Sequence, residues 1–253
     1  MTWSGNTFGL TQESWRKVIP MRPKLYQYAA CPFCNKVRSL LRYKGVDFET
    51  IEVHPLNKKE IAFSPDYRAV PIYIDSKGTQ VNDSTPIMRW IDQEFPEHAV
   101  FRAEARGAER ENRWLVWSEG FVKGLPAAIY DSLPKALRSF DYITKVGKFS
   151  WFEKQMIKYS GALIMTMVAK KIKKREQIED PEVFLQQKAQ EWALGLEGRP
   201  LMGGDSPNGA DLAVHGIFQS VADLAAGKSL RRNAAFNAWL ERMEASFQTA
   251  EFV

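Results

Sequence analysis

The sequence predicts an α/β module followed by an all-α region, and three observations predict it. A short apolar-aromatic run, Leu25-Tyr26-Gln27-Tyr28, leads through Ala29-Ala30 into Cys31-Pro32-Phe33-Cys34 and then into a helical pattern with Val37, Leu40 and Leu41 on one face. Strand and helix patterns alternate up to about residue 100. Beyond that point the strand signals stop and long amphipathic helices take over.

Composition bounds the class. The 253 residues are enough to bury a large core, in one or two domains. Hydrophobic content of 45% and charged content of 26% are ordinary for a soluble globular protein. The formal charge of +5 is mild, so it argues neither for nor against nucleic acid, and no nucleic-acid partner is expected. Residues 1–20 hold no basic region followed by an apolar core, so no secretory signal is expected. No stretch reaches the roughly 18–20 apolar residues that span a bilayer; residues 161–169 come about halfway. The expected location is cytoplasmic or peripheral to a membrane.

Taken in order, residues 1–22 read as an arm whose Trp3, Phe8, Leu10, Trp15, Val18 and Ile19 need somewhere to pack. Residues 24–28 are the first strand and 32–43 the first helix. Proline is tolerated at its first position, where the N–H has no intrahelical partner, and Lys44-Gly45 ends it. Residues 46–53 alternate as a second strand, with Phe48, Ile51 and Val53 among Asp47, Glu49 and Glu52. A short polar helix or loop covers residues 57–63. A third strand runs over 70–74, a turn over Ser76-Lys77-Gly78, and a fourth strand over 79–81. Asp83-Ser84 cap a helix over 85–95, which Pro96 ends. The order β-α-β-α-β-β-α fits a thioredoxin-like module over residues 23–100.

Residues 101–253 read as all-α. Helices are expected over 103–121, 149–177, 181–194, 208–226 and 233–247, with 125–133 a connection or short helix broken by Pro126 and Pro134. Asn208 and Asp211 have capping-box spacing and read as structural. The basic run Lys170, Lys171, Lys173, Lys174 and Arg175 suits a helix C-terminus. Behind Leu163, Ile164, Met165, Met167 and Val168 it also suits contact with an anionic membrane surface.

The chemistry centres on Cys31. At a helix mouth, first-turn N–H groups and the helix dipole stabilise a thiolate. Cys34 lies one turn inside, where it can resolve a mixed disulfide formed on Cys31. A structural zinc site needs four clustered ligands, but the chain has two Cys and three scattered His: His54, His98 and His215. A disulfide within Cys31–Cys34 would close too short a loop to stabilise much. A redox or nucleophilic thiol remains.

Several stretches resemble one family. Leu-Tyr-Gln-Tyr-x-x-Cys-Pro-Phe-Cys-x-Lys-Val-Arg at residues 25–38, Val70-Pro71-Ile72, Asp83-Ser84-Thr85-x-Ile87, the basic helix at 159–175 and Asn208-x-Ala210-Asp211-Leu212-Ala213-Val214 resemble the membrane-associated prostaglandin E synthase type 2 family, within the glutathione transferase superfamily. The resemblance implies a glutaredoxin-like domain followed by an all-α glutathione-transferase-like domain, and commonly a homodimer. It implies isomerisation of the lipid endoperoxide prostaglandin H2 to prostaglandin E2. It also implies binding of glutathione together with haem, a complex associated with endoperoxide breakdown; the iron's axial ligand is not assigned. Two departures stand out. The residues show no counterpart of the mammalian members' hydrophobic N-terminal anchor. Ala29-Ala30 stand where relatives more often carry a lysine or polar residue, so the helix dipole with Lys36 or Arg38 must hold the thiolate.

On this basis Cys31 is the expected nucleophile. Tyr28 offers a hydroxyl to the sulfur or to a peroxide oxygen, unless it is an ordinary strand aromatic. Cys34 is the resolving thiol or a small core residue. Val70-Pro71 is expected to be cis, with the Val70 backbone pairing the cysteinyl backbone of glutathione, or else a plain strand start. Asp83 and Ser84 cap a helix and also suit the ammonium and carboxylate of a γ-glutamyl group. Two other functions stay open: a glutaredoxin-type disulfide oxidoreductase, for which Cys34 is needed, and a non-catalytic haem- or glutathione-binding scaffold.

Overall fold

A computed structural model describes residues 21–101, 104–146 and 151–250. The expected arm, residues 1–22, lies outside them apart from Met21 and Arg22.

Four short strands form one sheet: β1 (Lys24–Gln27), β2 (Glu49–Glu52), β3 (Ile72–Ile74) and β4 (Gln80–Asn82). Their spatial order is β2-β1-β3-β4, with β1 and β2 parallel and the other pairs antiparallel. The parallel pair requires a crossover, which α1 (Pro32–Tyr43) supplies. Side chains alternate across the pleat. Leu25 points to one face, where Val37, Leu40 and Leu41 of α1 meet Ile87, Met88 and Ile91 of α2 (Ser84–Glu94). Tyr26 and Tyr28 point to the other and pack with Tyr67 and Val70 on Val53, Ile61 and Ile72. This is the thioredoxin-like module, and its two sheet faces separate the main core from a smaller outer cluster.

The helical part follows: α3 (Ala105–Ile129), α4 (Leu133–Val146), α5 (Trp151–Arg175), α6 (Pro181–Gly195), α7 (Gly209–Gln219), α8 (Ala225–Leu230) and α9 (Ala234–Ala250). Two expectations are corrected. Residues 125–133 are not a broken connection: α3 runs through Pro126 to Ile129, and α4 starts at Leu133 with Pro134 in its first turn, where the missing N–H loses no helical bond. Residues 208–226 are not one helix, because Ser220 and Val221 close α7 with tight turns before α8 begins. The strands are also shorter than the alternation suggested, β2 starting at Glu49 and β3 at Ile72.

The capping box at α7 forms as read. Asn208 accepts from the N–H groups of Ala210 and Asp211, and Asp211 accepts in return from Asn208 N–H at 3.1 Å. Asp211 also accepts from Met202, Gly203 and the Trp239 indole, all at 2.9 Å, so one fully buried carboxylate ties α7, α9 and the 201–204 turn together.

Two devices fix α1, one against the helical part and one against α2. Gly216 of α7 lets the backbones meet: a Cβ there would lie 2.4 Å from the Asn35 carbonyl oxygen. At the far end of α1, buried Lys44 pairs with Asp92 of α2 at 2.7 Å, and Asp92 holds the N–H groups of Val100 and Phe101. Helix α1 is thus anchored near both of its ends. Helix α5 leaves Trp151, Phe152, Met156, Tyr159, Leu163, Ile164 and Met167 exposed. In its basic end Lys173 pairs with Asp131 at 3.1 Å. No described helix is long and apolar enough to cross a membrane.

Candidate active site

Cys31 is the N-cap of α1, with extended backbone (φ −76°, ψ 122°), and Pro32 takes the first helical position. A tight turn brings it there: Cys31 N–H donates to the Tyr28 carbonyl at 2.9 Å. Side chains pin the turn from both sides. The Ala29 N–H donates to Glu52 of β2, while Asn35 donates its amide to the carbonyls of Ala29 and Cys31, each at 2.9 Å. Arg38 donates to the Ala29 carbonyl at 3.0 Å.

Both cysteines are free thiols, Cys31 partly accessible and Cys34 fully buried. Their acidities are driven apart. The Cys34 thiol donates to the Cys31 sulfur and pulls Cys31 below the ordinary cysteine value against the opposing effect of burial; the N–H groups of Phe33 and Cys34 and the Arg38 charge add to it. Burial, followed by the hydrogen bond and charge of Cys31, holds Cys34 well above that value. The accessible sulfur is therefore the more acidic of the two, and the buried one holds its proton the more tightly. Of the two cations considered from sequence, Arg38 acts here. Lys36 turns away and is fully buried, donating to the Thr85 hydroxyl at 3.2 Å.

Tyr28 sits half-buried beside the pair. Burial, and then the charges of Cys31 and Cys34, push its hydroxyl up to about 12. The Val70-Pro71 bond is cis. Val70 shares the outer cluster with Tyr28, and among the described residues its N–H and C=O take no hydrogen-bond partner. Asp83 is the N-cap of α2 with a positive φ (φ 68°, ψ 145°), its carboxylate accepting from Ser84 N–H at 2.6 Å. Such conformations gather at ligand sites. Ser84 is 2% exposed, and its hydroxyl has no partner among the described residues.

Two residues escaped the sequence reading. Tyr67 is raised by burial and by the Asp83 charge, and its hydroxyl also feels Cys34 and Cys31, so it joins the thiol pair to the α2 N-terminus. Tyr130, at the end of α3, is raised to about 12 by burial and then by Cys31, which brings the helical part to the same sulfur. Neither carries a local signal, because only the tertiary fold places a loop tyrosine and a helix-end tyrosine there.

Of the described histidines, His215 is not free to hold a haem iron. His215 uses both ring nitrogens on Ser39 (2.9 Å) and Gln219 (3.1 Å), and the His54 Nδ1 accepts from the N–H groups of Leu56 and Asn57. The described residues hold no metal-ligand cluster. No step below is routed through haem.

Relatives and solved structures bear on this arrangement. A family profile described as "Glutathione S-transferase, N-terminal domain" matches residues 25–99. Prostaglandin E synthase 2 of Mus musculus is 32% identical, over 90% of this chain and 71% of its own length. The chain belongs to the prostaglandin E synthase 2 family. The Danio rerio member is 29% identical over 88% of this chain. Through this family the chain joins the glutathione transferase superfamily, a superfamily of enzymes. The fold agrees: a glutathione S-transferase III in apo form superposes with a TM-score of 0.62 at 16% identity over 91% of this chain and 96% of that one. A Rhodospirillum rubrum glutathione S-transferase gives 0.61 at 15% identity over 91% and 92%. In the prostaglandin E synthase 2 family, then, the strand-turn-helix of residues 24–43 and the cis Val70-Pro71 corner stand on a glutathione-transferase scaffold.

Proposed function

We propose that the protein is a glutathione-binding thiol enzyme that isomerises prostaglandin H2 to prostaglandin E2, with Cys31 as the acting sulfur. The observation that carries the reading is the acidity split between Cys31 and Cys34: the accessible sulfur is made the more acidic by the hydrogen bond from its buried partner, beside a hydroxyl that keeps its proton. Family membership supplies the substrate class.

Glutathione fits the open groups of the site. The Val70 N–H and C=O suit its cysteinyl backbone, the Ser84 hydroxyl its α-carboxylate and Asp83 its ammonium. When bound, it supplies a second thiol.

The protein's own groups then act in sequence. The Cys31 thiolate attacks the endoperoxide oxygen on C9, forming an S–O bond as the O–O bond breaks. The departing C11 alkoxide takes the Tyr28 proton, since an alkoxide is the stronger base even against a hydroxyl raised to about 12. The Tyr28 phenolate removes the C9 hydrogen as a proton. The C–H electrons form the C9 carbonyl, the S–O bond breaks, and Cys31 leaves as thiolate. Atoms and electrons balance, and no outside oxidant or reductant is used.

A second reading keeps one observation of its own. The Cys34 thiol is hydrogen-bonded to Cys31, which supports its resolving a mixed disulfide, as a glutaredoxin-type oxidoreductase requires. The family resemblance implies a homodimer, and the basic run of α5 behind its apolar residues suits contact with an anionic membrane surface. The exposed apolar residues of α5 and its basic end support such contacts.

The test is product identification from prostaglandin H2 with a reducing thiol, on wild type and Cys31→Ser. Prostaglandin E2 above the uncatalysed rate, lost in Cys31→Ser, is expected. Binding of glutathione without any Cys31-dependent product would leave a scaffold or a disulfide reductase.

A further inference from the structure

Lys36 is a charged side chain with 0% exposure, reaching from α1 to the first turn of α2. A methionine would fill its place without the desolvation cost of an ammonium, so the charge needs a reason. Lys36 Nζ donates to the Thr85 hydroxyl at 3.2 Å, and that hydroxyl lies 3.4 Å from a Glu119 carboxylate oxygen of α3. Among the described residues this is the only hydrogen bond Nζ makes, although an ammonium has three donors. Thr85 stands in the first turn of α2. A cation buried against a helix N-terminus is opposed by the helix dipole. Asp83 and Glu119 offset it in part.

The same turn is open to an anion. Asp83 satisfies Ser84 N–H, and Pro86 has no N–H to offer. Thr85 N–H and the hydroxyl of 2%-exposed Ser84 have no partner among the described residues. One main-chain donor, one buried hydroxyl and one buried ammonium behind them match a single carboxylate.

We propose that Lys36 is a positioning residue of this site: through Thr85 it supplies the charge by which the first turn of α2 takes the α-carboxylate of a γ-glutamyl thiol, so the enzyme selects glutathione over thiols that lack that group. The inference rests on the glutathione-binding reading above and deepens it.

The experiment is calorimetric titration of the full chain with S-methylglutathione and with S-methylcysteinylglycine, which has lost the γ-glutamyl group. Neither probe can exchange with the cysteines. Lys36→Met should weaken S-methylglutathione about tenfold, the effect of losing one bond to a charged group. It should leave S-methylcysteinylglycine unchanged, with the thermal midpoint kept or raised. Thr85→Val should lower the same ratio and serves if Lys36→Met does not fold. An unchanged ratio, or an equal loss for both probes, overturns the role of Lys36 while leaving glutathione binding intact. Wild type that binds no S-methylglutathione overturns the glutathione reading itself.

Discussion

Arg38 donates from its guanidinium to the carbonyl of Ala29 at 3.0 Å, one turn of chain ahead of Cys31. The bond holds a fixed positive charge at the mouth of α1, in a chain with alanines at 29 and 30. Arg38→Met should therefore make Cys31 less acidic, raising its pKa, and slow its alkylation by iodoacetamide at pH 7 severalfold. An unchanged alkylation rate would mean that the charge does not reach the sulfur.

Cys34→Ala removes the largest influence that lowers Cys31. Cys31 should alkylate more slowly at neutral pH, and turnover of protein disulfides should be abolished for want of a resolving thiol. Prostaglandin E2 formation should persist at a reduced rate that recovers as pH rises. Loss of that product at every pH would assign Cys34 a direct part.

His215 predicts an acid weakness away from the thiol. Burial, then the Arg42 charge, brings it down to about 4 from an ordinary 6.5. Below 6.5 the unfolded chain takes up a proton that the folded chain refuses. This contribution to stability is therefore complete above about pH 6.5 and is lost as pH falls toward 4. The loss amounts to about 3 kcal/mol at most. Urea unfolding of wild type and His215→Asn between pH 7 and 4 checks it: the variant should show the shallower decline.

Asp211 is read as part of the fold rather than the chemistry. Asp211→Ala strands three backbone N–H groups and the Trp239 indole without their acceptor. It should cost about 3–5 kcal/mol in chemical denaturation. In the folded fraction Cys31 should alkylate at the wild-type rate.

The thiol corner was legible because its signals are local. Pro32 after Cys31, the alternation of Leu25 to Tyr28, and the Asn208–Asp211 spacing each specify a piece of backbone through their own chemistry. The prolines misled for the same reason: Pro126 and Pro134 read as breakers, but tertiary burial of Leu125, Ala127 and Ala128 carries α3 across the first, and the second sits where a helix tolerates it. Lys36 and Arg38 lie two apart on α1, and sequence alone could not say which one faces the sulfur. The Thr85 hydroxyl of α2 takes Lys36 away, and the Ala29 carbonyl takes Arg38 in. Tyr67 and Tyr130 reach the site only through the fold.

The central claim is that one acidified sulfur, Cys31, both reacts first and carries turnover. The most direct measurement compares two pH profiles on the same protein: the rate of Cys31 alkylation and the rate of prostaglandin E2 formation from prostaglandin H2. The account predicts that both rise through a single shared midpoint below that of an ordinary cysteine, and that Cys34→Ala moves both midpoints upward together. Product formation that ignores the Cys31 midpoint, or continues in Cys31→Ser, would contradict it.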